Sequence, residues 1–122
     1  MVQVFQPPVY TYKVVKVTKI VDGDTIDVQL DVGFESYVHK RLRFLGIDTY
    51  ETRGDERELG LLAKARLAEI LESADRLYVQ TEMDGEGKYG RVLATLWIQH
   101  GDDITNVNAQ LLEEGHGVEY MV

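Results

Sequence analysis

At 122 residues and 44% hydrophobic content, the chain is long enough for one domain with a real core and too short for two. The absence of cysteine excludes disulfides, zinc–thiolate sites and thiol catalysis, and no apolar run reaches membrane-spanning length. A formal net charge of −8 works against an anionic partner without excluding one. The charges are segregated: acids dominate 55–86 and 102–119, while Lys13, Lys16, Lys19, Lys40, Arg41, Arg43, Lys88 and Arg91 gather elsewhere.

Residues 1–9 read as an extended lead-in whose Pro7-Pro8 pair prevents regular pairing. They lack the basic-then-apolar grammar of a secretory signal, so a cytoplasmic protein is expected unless a leader was removed. Residues 10–122 are expected to form a single domain. From 10 to 21 the chain is rich in β-branched and aromatic residues, with an alternation that slips at Val14-Val15 as in a bulged strand. A turn at 21–25 leads to the clearest strand, where Ile26, Val28, Leu30 and Val32 alternate with Asp27, Gln29 and Asp31. Gly33 ends it, and 37–47 forms the next strand.

The period then changes. Leu59, Leu62, Ala63, Leu67, Ile70 and Leu71 follow helical spacing, with Asp55 as the expected N-cap. Strand returns at 76–81. A turn at 84–87 follows, then a fifth strand at 90–98 carrying Trp97 as a core residue. After a second turn at 101–103, residues 106–114 read as a short helix stopped by Gly115. This order, mainly β with helices, predicts a five-stranded barrel of the oligonucleotide-binding (OB) type with two flanking helices.

Two stretches carry the chemistry. In Arg43–Thr52 (RFLGIDTYET) the period of two puts Leu42 and Phe44 on one face and Arg43 on the other, just before Asp48 and Glu51. Alone, this arginine reads equally well as a structural ion pair. The turn Asp22-Gly23-Asp24-Thr25 alone reads as a solvated Asp-Gly turn. An EF-hand is excluded, because Ile26 stands at the third ligand position and no glutamate closes the loop. Asp24, Asp48 and a main-chain carbonyl could still converge as hard oxygen ligands. His39, His100 and His116 fit no ligand spacing.

Four segments in order, VDGDT (21–25), RFLGIDTYET (43–52), KYGR (88–91) and VNAQLLEEG (107–115), resemble the staphylococcal-nuclease-like (thermonuclease) family over nearly the whole chain. The resemblance implies a Ca²⁺-dependent nuclease that hydrolyses DNA and RNA, single-stranded or melted, to 3′-phosphate ends, acting as a monomer. It implies that Asp24, Asp48 and the Thr49 carbonyl hold the ion, with Asp22 beside them. By the same resemblance Glu51 would orient or deprotonate the attacking water, Arg43 and Arg91 would grip the phosphate, and Lys88, Tyr89 and Tyr120 would contact terminal phosphate or base. Tyr50 stands where the family usually has proline, the loop after Thr52 is short and acidic, and the chain ends about where a third family helix would begin. A catalytically silent barrel that binds nucleic acid or protein is the alternative. A two-carboxylate glycosidase through Asp48 and Glu51 would leave both arginines without a role.

Overall fold

A computed structural model describes residues 10–83 and 92–120. The lead-in 1–9 and the segment 84–91, which includes Lys88, Tyr89 and Arg91, lie outside the described residues. The elements run β1 (Tyr10–Asp22), β2 (Thr25–Asp31), β3 (Tyr37–Phe44), β4 (Ile47–Thr49), α1 (Arg57–Ser73), β5 (Arg76–Met83), β6 (Val92–His100), β7 (Asp103–Asn106), α2 (Val107–Glu113) and β8 (Gly117–Glu119). Strands β3, β2, β1, β5 and β6 lie side by side, and parallel pairing of β3 with β6 closes them into the expected five-stranded barrel. Strand β7 extends β6 as a hairpin, and β4 pairs with β8 in a separate ribbon.

Closure depends on β1, which pairs with β5 through Tyr10–Lys13 and with β2 through Lys13–Asp22. Its register against β2 shifts three times, between Val14 and Lys16, Val17 and Lys19, and Ile20 and Asp22. The sequence slip at Val14-Val15 marks only the first of these. Each extra residue bends the strand and deepens its twist, which wraps β1 around the barrel. Inside, Ile26, Val28, Leu42, Phe44, Val79, Leu96, Leu67 and Leu111 are all essentially inaccessible. Burial of such side chains stabilises the fold by roughly 1.5–3 kcal/mol each.

Three expectations need correction. Helix α1 buries Gly60, Ala63, Leu67 and Ile70, whereas Leu59 and Leu62 are exposed. Its first half faces the neighbouring chain with small residues, and the leucines point outward. Asp55 lies in a 3-10 turn (Gly54–Glu56); Glu56 occupies the N-cap position and makes no side-chain capping bond. Trp97 is only half-buried. It alternates with the inward Leu96 and Ile98, and its indole N–H donates to Gln80 Oε1 at 2.9 Å.

Helix α2 follows its sequence signals: the Asn106 side chain accepts from the Ala109 N–H at 3.1 Å, and Gly115 sits past the end at φ 82°. Next to that cap, the buried Asn108 amide donates to the carbonyls of Leu45 (2.8 Å) and Ala94 (2.9 Å), and its Oδ1 accepts from the Leu96 N–H (3.1 Å). It thereby fastens α2 and the turn after β3 to β6. Asn108→Leu removes the amide partner of the Leu45 carbonyl and the Leu96 N–H and one of two donors to the Ala94 carbonyl, and is expected to cost about 3 kcal/mol in a urea titration. A loss below about 1 kcal/mol would mean that water replaces the amide.

Candidate active site

The strand order brings the two chemical stretches together. Register pairs Thr25 with Arg43, so the turn before β2 lies beside the end of β3, and the Phe44 N–H donates to the Asp24 carbonyl at 2.8 Å. At Leu45-Gly46 the chain reverses into β4 instead of continuing as strand to 47. Gly46 has φ 83°, a left-handed conformation that a side chain disfavours. That reversal swings Asp48 and Thr49 back over Asp24.

Asp24 is 3% exposed and every described partner of its carboxylate is a donor. Oδ1 accepts from the Thr25 hydroxyl (2.9 Å), and Oδ2 accepts from the Thr49 N–H (3.0 Å) and from Arg43 Nη1 (3.0 Å). The other arm of Arg43, Nη2, lies 3.5 Å from Asp48 Oδ1. One planar guanidinium thus bridges two carboxylates that are 24 residues apart in sequence. The Tyr120 ring covers it, with Cζ 5.5 Å from the ring centroid.

Around this centre the backbone is packed very closely. A side chain at Gly60 would collide with the Glu51 carbonyl, and one at Gly117 would strike the Asp48 carbonyl. Helix α1 and strand β8 therefore press directly on the segment that carries both carboxylates. The Glu51 N–H donates to Glu56 Oε2 at 3.0 Å, which fixes that loop to the 3-10 turn, and Glu51 itself is exposed. The Thr49 hydroxyl is buried with no hydrogen-bond partner among the described residues.

A family model described as "Staphylococcal nuclease homologue" matches residues 41–122. The chain is 35% identical over 101 residues to a thermonuclease of Staphylococcus intermedius, covering 81% of this chain and 55% of that protein. The chain belongs to the staphylococcal nuclease family. It is also 31% identical to protein ParB of Escherichia coli over 110 residues (86% of this chain, 56% of that one). An uncharacterized protein of Methanocaldococcus jannaschii matches at 29% over 126 residues, with coverages of 87% and 58%. The chain spans about half the length of these curated relatives.

Of the residues that the staphylococcal nuclease motifs single out, the structure gathers Asp22, Asp24, Arg43, Asp48, Thr49 and Tyr120 in one place, with Glu51 on the adjoining loop. Thr49 reaches Asp24 through its N–H. Gly60, Gly117 and Asn108 were not among the expected site residues. A glycine inside a helix costs about 1 kcal/mol relative to alanine, and that cost at Gly60 was the available signal.

The donor set suits a hard cation, since Asp24, Asp48 and the Thr49 carbonyl offer only oxygen. Among the described residues no group of three or more His, Cys, Asp or Glu side chains is arranged to hold a metal. The local field is strongly negative. Burial, then the neighbouring Asp24 carboxylate, pushes the Asp22 carboxyl up to about 6 from 3.8. Burial also acts to raise Asp24, but hydrogen bonds from Asp22 and the Thr49 N–H, together with the Arg43 charge, hold it below its ordinary value.

The folded protein keeps the Asp22 proton up to about pH 6, and the unfolded chain releases it near 3.8. Asp22 therefore makes the fold more stable as pH falls from 7 toward 4. The contribution of Asp24 is complete above its unfolded value and is lost only as pH drops through its depressed folded value. Carboxyl carbon NMR without added metal is expected to show Asp22 titrating near pH 6, and Asp24→Asn is expected to lower that midpoint. A wild-type midpoint near 4 would contradict the geometry.

Proposed function

We propose that this protein is a Ca²⁺-dependent nuclease that hydrolyses phosphodiester bonds of DNA and RNA, favouring single-stranded or melted segments and leaving 3′-phosphate ends. The observation that carries the reading is the Arg43 guanidinium spanning the buried Asp24 and the half-buried Asp48. A wholly structural pair needs only one carboxylate, whereas this arrangement sets paired anions and a forked cation at one surface. Membership of a family that includes a thermonuclease supports the same chemistry.

In this reading Asp24, Asp48 and the Thr49 carbonyl hold the ion, and Asp22 adjusts the charge around it. Bound Ca²⁺ supplies neutralisation of phosphate charge and a positioned water. The remaining work belongs to the chain. Arg43 turns one or both Nη groups from the carboxylates to the phosphoryl oxygens, where bidentate hydrogen bonds strengthen as charge develops. The Tyr120 ring gives the guanidinium a flat surface to pivot against. Glu51, exposed on a loop anchored by Glu56, takes the proton of the attacking water. Arg91 joins Arg43 on the phosphate, and Lys88 and Tyr89 contact the terminal phosphate or base; these three assignments rest on the KYGR motif.

Cleavage of denatured DNA is expected with Ca²⁺ and not with chelator. Glu51→Gln is expected to lower kcat by about 10²–10⁴-fold with strand binding retained, and Arg43→Gln by about 10²–10³-fold. Binding without cleavage in the wild-type protein would turn the reading to a catalytically silent nucleic-acid-binding barrel.

A further inference from the structure

The three register shifts of β1 have an outward counterpart. Because one residue is bulged out in each triplet, Lys13, Lys16, Lys19 and Asp22 face Asp31, Gln29, Asp27 and Thr25 of β2. Across β2 these positions face Tyr37, His39, Arg41 and Arg43 of β3. Four rows result: Asp22–Thr25–Arg43, Lys19–Asp27–Arg41, Lys16–Gln29–His39 and Lys13–Asp31–Tyr37. Side chains at alternate positions share a face, so successive rows stand about 6–7 Å apart. The first row belongs to the candidate active site, and the other three continue it outward.

The four rows carry five cations (Lys13, Lys16, Lys19, Arg41 and Arg43) and three carboxylates (Asp22, Asp27 and Asp31), a net positive face on an otherwise acidic molecule. Six of the chain's 13 Lys and Arg residues (Lys13, Lys16, Lys19, Lys40, Arg41, Arg43) lie on β1–β3, against a net charge of −8. Lys13, Lys16, Lys19, His39, Lys40 and Arg41 are all exposed. Asp27 and Arg41 match each other through bidentate bonds at 2.8 and 3.0 Å, so the lysines carry most of the net positive charge of this face. Thr18, Asp27, Val28, His39, Lys40 and Arg41 line a groove of about 280 Å³ in this face. At the far end, Tyr37 is half exposed and Phe34 at the hairpin tip is fully so. Gly33, Phe34 and Glu35 all have left-handed φ (86°, 54° and 60°), in a tip closed by Ser36 N–H to Gly33 O at 2.9 Å. An apolar ring held in that conformation, clear of the core, gains nothing from packing.

We propose that the outward face of β1–β3 is a track for the sugar–phosphate backbone of a single strand, running from the phosphate at Arg43 past Arg41 and Lys19, His39 and Lys16, to Lys13, with Phe34 stacking on a base at its end. The proposal extends the nuclease reading by assigning where the uncut part of the strand lies. Each lysine displaces counterions from a phosphate, and the acidic remainder of the molecule repels the strand from other routes. Stacking at Phe34 is tolerant of sequence, as a track must be.

The test compares Glu51→Gln protein, which keeps the strand intact, with the same protein carrying Lys13→Ala, Lys16→Ala and Lys19→Ala. Fluorescence anisotropy with a single strand of about 20 nucleotides is expected to show binding weakened about tenfold or more at low salt, with the log–log salt slope reduced by about 2. In the Glu51 wild-type background, the three changes should leave hydrolysis of a dinucleotide unaltered and raise KM for the long strand. Unchanged strand affinity and salt slope would overturn the track, whatever the catalytic result. Normal lysine-dependent binding by a wild-type protein that never cleaves would sink the nuclease reading alone. Phe34→Ala should weaken binding of the base-bearing strand about fivefold and leave an abasic strand of equal length unaffected; equal effects on both would remove the stacking end. Because all four side chains are exposed, melting curves should match those of the parent.

Discussion

The charge bridge between Arg43, Asp24 and Asp48 is the constraint on which the local structure depends. Asp24 is a carboxylate with almost no access to water, and such a group persists as an anion only when donors surround it. The Thr25 hydroxyl, the Thr49 N–H and Arg43 provide them. Each donor comes from a different place along the chain, so the charge can be satisfied only when β2, β3 and β4 are correctly assembled. Burying it costs stability that a hydrophobic replacement would not, which is the usual mark of a group kept for chemistry.

The barrel supplies that assembly with few degrees of freedom. Parallel closure of β3 on β6 fixes the end of β3, and Asn108 pins the following turn from beneath. Helix α1 and strand β8 then approach so closely that glycine is needed at both contacts. The bond between Arg66 and Glu114, at 2.6 and 3.0 Å, joins α1 to the end of α2 on the other side and drops the Glu114 carboxyl to about 2. Being partly exposed, that pair is screened by solvent and adds little to stability. The site is therefore held by its scaffold more than by its own attractions.

Much of this was legible in the residues. Alternation in 26–32 and helical spacing in 63–71 gave the barrel strand and the core face of α1, because both patterns follow directly from burial. The convergence of Asp24, Arg43 and Asp48 came from motif resemblance, since neither separation nor composition shows that a turn at 22–25 meets a turn at 45–46. Errors arose where neighbours override the local pattern. Leu59 and Leu62 keep a helical period yet face outward, because the loop bearing Glu51 needs the space at Gly60. Short β4, β7 and β8 were not read as strands, as segments of three or four residues carry too little periodicity to register.

The triplet rhythm of β1 has an implication for how this strand can change over time. In an ordinary strand, adding or removing two residues preserves which side chains face inward. Here the inward positions Val14, Val17 and Ile20 recur every third residue. A length change that keeps this pattern therefore needs three residues in β1 for every two in β2, while a single or double insertion in β1 would turn lysines toward the barrel and valines toward water.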